Sequence, residues 1–169
     1  MGVIRYEDLE GIRRRHKHQK IVFCSGCFDL THAGHVVFFE ECKKLGDILV
    51  VMVARDSNVR NNKGDGRPIL NERLRLKMID SLKPVDYCLL DLPFEKGDPL
   101  SSLSKIFQFL QPDIYVVNAD AFDLPFREKL TQPFNVTMKV LCRDGRSEYS
   151  EFDSISTSEI ITKIKGLTQ

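Results

Sequence analysis

The sequence predicts an α/β fold, a five-stranded, doubly wound parallel sheet with helices on both faces. Three observations carry that prediction. Apolar runs and amphipathic runs alternate five times along the 169 residues. The clearest run, Ile48-Leu49-Val50-Val51-Met52-Val53-Ala54, is apolar without interruption, as a strand covered on both faces requires. The connections are short, and right-handed crossovers between successive parallel strands then produce a doubly wound sheet.

Taken in order, Tyr6 to Arg15 is charged with a thin apolar side at Leu9 and Ile12, so residues 1–20 read as an arm or short helix ahead of a single domain over 21–169. Ile21-Val22-Phe23-Cys24 is the first strand. Val36 to Leu45 follows as a helix, with Phe38, Cys42 and Leu45 at i, i+4 and i+7 on its core stripe. Gly46-Asp47 stops it, and the Ile48 strand ends at Arg55-Asp56. Asn58 to Pro68 reads as a polar loop, because Asp-Gly and Pro are turn residues; its functional reading is a mobile basic flap over phosphates. Asn71 caps a helix with Leu74, Met78, Ile79 and Leu82 in its interior and Arg73, Arg75 and Lys77 along it. Val85 to Leu90 is a third strand and Asp91 to Asp98 a loop. A helix over Pro99 to Leu110 turns Leu103, Ile106, Phe107 and Leu110 inward. Asp113 to Val117 is a fourth strand, ending at Asn118-Ala119-Asp120. A short helix near Phe126 to Leu130 precedes a fifth strand, Val136 to Leu141, and a polar segment from Arg143 to Asp153 leads to Ser156-Thr157-Ser158. Those hydroxyls cap a last helix, Glu159 to Lys165.

Composition excludes several classes of function. Lysine plus arginine is 25 against 24 for aspartate plus glutamate, so no net field argues for nucleic acid or a membrane surface. No apolar run approaches the ~20 residues of a membrane span. Met1 to Lys20 is charged throughout and has no apolar h-region, which makes the cytoplasm the expected location. The cysteines, Cys24, Cys27, Cys42, Cys88 and Cys142, are odd in number and lie mostly in apolar runs, as reduced core residues do. Cys24-Ser-Gly-Cys27 has redox or zinc spacing with His16 and His18 upstream, but a zinc site needs more ligands and there is no second such pair.

The most informative stretch is Gly26-Cys27-Phe28-Asp29-Leu30-Thr31-His32-Ala33-Gly34-His35. It puts two histidines, three residues apart, at the start of a helix that directly follows a buried strand. Unpaired backbone N–H groups and the positive end of the helix dipole suit a phosphate there. In a parallel sheet all strand C-termini share one edge, where ligands bind. That edge gathers His32 and His35, Arg55-Asp56, the Lys63 loop, Asn118 to Asp120 and the Ser156-Thr157-Ser158 helix start.

Gly26-Cys27-Phe28-Asp29 with His32-Ala33-Gly34-His35 resembles the signature of the cytidylyltransferase-like nucleotidyltransferases. Ser156-Thr157-Ser158 is similar to that family's second motif, in the same order. The likeness runs from Ile21 to Lys165. Lys63-Gly64-Asp65-Gly66-Arg67-Pro68 and Asn71-Glu72-Arg73 most resemble the adenylyltransferase domain of heptose-phosphate enzymes. Val53-Ala54-Arg55-Asp56 also resembles archaeal FMN adenylyltransferases, and glycerol-3-phosphate cytidylyltransferase is a more distant likeness.

The resemblance implies a Rossmann-like fold, a homodimer and one reaction. A phosphate on a small-molecule acceptor attacks the α-phosphorus of a nucleoside triphosphate, and pyrophosphate leaves. On this likeness His32, His35 and Lys63 are catalytic. Cys27, Phe28, Gly34, Arg73, Asn118, Asp120, Ser156, Thr157 and Ser158 hold the nucleotide, which brings Mg²⁺, and Asp29 and Asp56 lie toward the acceptor. ATP with a sugar phosphate is favoured; the alternatives are CTP with a polyol or amino-alcohol phosphate, and nucleotide binding without turnover. Two departures stand out. Val117-Asn118-Ala119-Asp120 replaces a Lys-Gly-Gly-Asp run of the heptose-type relatives, and Glu151 to Ser154 lacks the arginine that precedes the second motif in cytidylyltransferases.

Overall fold

Four apolar runs form the inside of one parallel sheet, and one further strand closes each edge. The computed structural model describes residues 2–93, 100–142 and 155–167. Its strands are β1 (Gly2–Val3), β2 (Ile21–Gly26), β3 (Ile48–Val53), β4 (Tyr87–Leu90), β5 (Ile114–Asn118) and β6 (Thr137–Leu141). The helices are α1 (Leu9–Arg15), α2 (Ala33–Lys44), α3 (Asp56–Lys63), α4 (Glu72–Asp80), α5 (Ser101–Leu110), α6 (Leu124–Thr131) and α7 (Thr157–Gly166). The sheet order is β1-β4-β3-β2-β5-β6, every pair parallel. The chain steps from β2 out to β4, then returns to the other side of β2 with β5. The order of strands therefore reverses between β2 and β5, and a crevice opens there at the strands' C-terminal ends.

The α/β prediction holds, with six strands instead of five. The sixth is β1, whose two residues pair with Tyr87 and Cys88 and are too few to show any periodicity. Behind it Leu9 and Ile12 of α1 are buried in the core. The two faces of the sheet have separate cores. Phe23, Val50, Met52, Leu89, Tyr115 and Val117 pack with Leu103, Ile106 and Phe107 of α5 on one face. Val22, Cys24, Val51, Cys88 and Val116 pack with Phe38, Phe39 and Cys42 of α2 and Ile79 of α4 on the other.

Two sequence expectations need correction. Asn58 to Lys63, expected in a loop, belong to α3. The Glu72 carboxylate accepts from Asp56 N at 2.9 Å at the start of this helix, and Asn58 and Val59 are buried beneath it. A cap supplied from sixteen residues away leaves no local signal. In α4, Leu74 and Met78 face out, 51% and 45% exposed, where the sequence expects them inside. Arg75 and Ile79 take the inner face instead, because Arg75 finds four oxygen partners there. Asn71 does cap this helix, accepting from Arg73 N and Leu74 N at 3.1 Å. The segment from Arg143 to Ser154, with the Glu151 departure, lies outside the described residues, as does Pro99.

Candidate active site

The site begins where β2 ends. Its Gly26 is needed less for backbone freedom than for space. A Cβ there would come within 2.7 Å of the Phe28 ring, which folds back against the strand. The turn reverses through Phe28 and Leu30, both at positive φ (52° and 45°), a conformation that bulky residues adopt only when their surroundings enforce it. Three contacts supply the enforcement. Phe28 is buried against Phe39, with ring centroids 4.9 Å apart. The Thr31 hydroxyl donates to Phe28 O at 3.2 Å. The buried Asp29 carboxylate accepts from Leu30 N at 3.1 Å, Ile69 N at 2.8 Å and Leu70 N at 2.9 Å, with Arg67 Nε 3.3 Å away.

This turn delivers His32 to the N-cap of α2 and His35 to its first turn. Their rings stack with centroids 4.0 Å apart, and the edge of Phe28 supports His35 at 5.5 Å. Two imidazoles thus lie side by side over the positive end of a twelve-residue helix.

Four further segments converge on the same edge. α7 starts there: Ser156 caps it by accepting from Glu159 N at 3.2 Å, and the Thr157 hydroxyl donates to Asp29 O at 2.9 Å, joining the second helix start to the histidine turn. Ser158 is exposed one residue on. The exit of β3 is tied in by Arg75, which is fully buried. Arg75 donates to Leu70 O at 2.9 Å, Cys27 O at 2.6 Å, Ala54 O at 2.7 Å and Asp56 Oδ1 at 2.7 Å. Lys63 is exposed at the end of α3, and its charge reaches Cys27. Burial raises the Cys27 thiol, Arg75 and Lys63 pull it back, and Asp29 pushes it further up. Asn118 ends β5, and extending the pairing of Cys24 with Val116 brings it level with Gly26 across the crevice. Asp120 is exposed in the turn that follows.

Arg55 and Asn58 brace α3. Arg55 donates to Asp91 O at 2.7 Å and Glu72 Oε1 at 3.1 Å, and Asn58 to Asp91 Oδ2 at 2.9 Å. Burial raises the Asp91 carboxyl, and hydrogen bonds from Ser102, Asn58 and Leu92 N offset part of that.

Sequence reading overlooked Arg75 as a structural hub. The signal available was its spacing four residues before Ile79, on one helix face. Arg73 is exposed on the opposite side, and no contact among the described residues joins its guanidinium to the turn. The Asp29 carboxylate is spent on protein partners, and Asp56 gives Oδ1 to Arg75. Cys24 of the Cys-x-x-Cys pair is buried beside Cys42, its thiol pushed well up by burial, and the His16 ring is held by Tyr87 and Gln19. Among the described residues no helix is long and apolar enough to cross a membrane.

Residues 23–163, which contain this whole arrangement, match the cytidylyltransferase-like family model. The chain belongs to the cytidylyltransferase-like family. Among individual relatives, the bifunctional protein HldE of Helicobacter pylori strain G27 is 39% identical over 150 residues, covering 89% of this chain and 28% of the relative. HldE of Campylobacter jejuni subsp. doylei is 36% identical over 152 residues, covering 89% and 29%. This cytidylyltransferase-like chain thus spans less than a third of those curated relatives. A solved structure from Thermoplasma volcanium, described as a lipopolysaccharide core biosynthesis protein, is 36% identical with a TM-score of 0.58, covering 73% of this chain and 95% of that one. Pantoate-beta-alanine ligase from Francisella tularensis shares the fold at 18% identity, with a TM-score of 0.64 over 100% of this chain and 80% of its own.

Proposed function

We propose that this chain is a nucleotidyltransferase that moves AMP from ATP to the phosphate of a small phosphorylated acceptor, a sugar phosphate, and releases pyrophosphate. One observation carries the reading: the stacked His32 and His35 start α2, and Thr157 ties the start of α7 to the same turn. Two helix N-termini and two imidazoles then lie at one turn, donors of the kind a triphosphate needs. The family and the HldE relatives support transfer to a sugar phosphate, and the likeness of the Lys63 loop favours ATP over CTP.

The chemistry asks for position and charge, without a covalent intermediate on the protein. The acceptor phosphate oxygen attacks the α-phosphorus, and the bond to the β-phosphate oxygen breaks. His32 and His35 donate to phosphate oxygens as negative charge moves onto the leaving pyrophosphate. Lys63 adds its charge from the end of α3. Cys27, Phe28 and Gly34 shape the pocket at the turn, while Arg73, Asn118, Asp120 and the hydroxyls of Ser156, Thr157 and Ser158 hold the nucleotide. Asp29 and Asp56 act toward the acceptor through position, by fixing the Arg67 to Leu70 loop and Arg75.

Mg²⁺ accompanies the nucleotide in this scheme. Among the described residues no group of three or more His, Cys, Asp or Glu side chains gathers. When bound, such an ion would be carried by triphosphate oxygens and water and would neutralise phosphate charge. The reading also includes a cytoplasmic homodimer; the exposed Ile69, Leu74 and Met78 offer a surface for a second copy, and sedimentation tests it.

Transfer of label from [α-³²P]ATP onto members of a sugar-phosphate panel tests the reaction, with [α-³²P]CTP and polyol phosphates as the competing arm. Labelled product with ATP and a sugar phosphate is expected. Product only in the CTP arm would reassign the base, and nucleotide binding without product in either arm would make the chain a binding protein.

A further inference from the structure

Five arginines among the described residues are buried or half-buried: Arg13, Arg55, Arg67, Arg75 and Arg127. Four of them pair with a carboxylate. Arg13 lies 3.1 Å from Asp113, Arg55 3.1 Å from Glu72, Arg67 3.3 Å from Asp29 and Arg75 2.7 Å from Asp56. Arg127, on α6, has no carboxylate within ion-pair distance among the described residues. Its contacts are neutral: Nε donates to Phe122 O at 2.6 Å, and Nη1 donates to the Tyr115 hydroxyl. A guanidinium fixed in place, partly withdrawn from water and without an opposite charge beside it suits an anionic ligand.

Its position says which ligand. Tyr115 is fully buried on β5, its ring stacked on Phe23 at 5.5 Å, and its hydroxyl lies 3.4 Å from Ser25 Oγ, one residue before Gly26. Accepting from Arg127 leaves the phenol proton for Ser25. The guanidinium is thereby anchored to both strands that border the crevice, β2 and β5, on the sheet face opposite α2 and its histidines. Two of its five N–H groups are used, and three remain in a planar fork that matches phosphate.

We propose that Arg127, held by Tyr115 and the Phe122 carbonyl, is the binding residue for the acceptor's phosphate. The inference rests on the nucleotidyl-transfer reading. In-line displacement puts the attacking oxygen on the side of the α-phosphorus away from the leaving pyrophosphate. With the triphosphate at the start of α2, Arg127 stands across the crevice from it, on the opposite face of the sheet and clear of the leaving group's helix start. Arg127 also supplies there a cation that Val117, buried on the same face as Tyr115, does not.

The test is calorimetric titration of inorganic phosphate into the full chain saturated with Mg²⁺ and α,β-methylene-ATP, so that the triphosphate site is already filled. Phosphate should bind Arg127→Ala roughly 10-fold or more weakly than wild type, the scale of a hydrogen bond to a charged group. Arg127→Lys, which keeps the charge and loses the fork, should recover only part, and analogue affinity should stay within about twofold in all variants. Phosphate affinity in Arg127→Ala within about twofold of wild type would overturn the assignment, as would a nucleotide-loaded wild type that binds no phosphate. If Arg127→Ala does not melt cooperatively, Arg127→Gln decides by the same criterion. A wild type that ignores the analogue refutes ATP as the donor; phosphate titration without nucleotide then judges Arg127 by the same tenfold difference.

Discussion

At the scale of single residues, the histidine turn is held by space and hydrogen bonds more than by flexible backbone. The two left-handed residues are Phe28 and Leu30, and the glycine beside them serves to admit a ring. Gly26→Ala should therefore overpack the turn, cost about 1–3 kcal/mol in a urea titration and lower turnover with it. A stability change near zero would mean that Phe28 can move aside. The cysteines give a second prediction. Burial pushes the Cys88 thiol up to about 12 and Cys24 well above its ordinary value, so little reactive thiolate forms at pH 8, whereas Cys142 is exposed. Iodoacetamide at pH 8 should label native protein first at Cys142, and label Cys24, Cys42 and Cys88 only after unfolding in urea. Early labelling of Cys24, followed by mass spectrometry, would contradict the burial described.

At the scale of elements, legibility followed locality. The helix over Ser101–Leu110 was readable because its apolar stripe, Leu103, Ile106, Phe107 and Leu110, lies within the element and is buried as expected. α3 was not, because what holds it comes from Glu72 and Asp91 elsewhere in the chain. α4 was readable in position and wrong in facing: a fully buried arginine on its inner face inverts the usual rule that apolar residues mark the core. Its start is local and testable. Asn71→Ala should cost roughly 0.5–2 kcal/mol through loss of the bonds to Arg73 N and Leu74 N, while Asn71→Asp, which keeps the acceptor, should stay near wild type in thermal melts.

At the scale of the molecule, the parallel sheet and its functional edge could be foreseen from continuous apolar strands and their alternation with helices. What sequence could not supply was the contact between separate segments: Thr157 on Asp29, Arg75 joining three stretches of chain, and Arg127 of α6 held by Tyr115 of the preceding strand β5. Gathering them around one crevice depends on strand order, with β5 returning to the side of β2 away from β3. That order makes one crevice with the histidines on one side and an arginine without a carboxylate partner among the described residues on the other. The central claim is that this crevice transfers a nucleotidyl group with His32 and His35 stabilising the leaving pyrophosphate. Its most direct test is pyrophosphate release from Mg²⁺ and ATP in the presence of phosphorylated sugars, measured for wild type and His32→Ala side by side. The account predicts release by the wild type and a fall of roughly 100-fold or more in the variant, the scale of losing a transition-state donor. An equal rate in the two proteins, with folding intact in both, would contradict it.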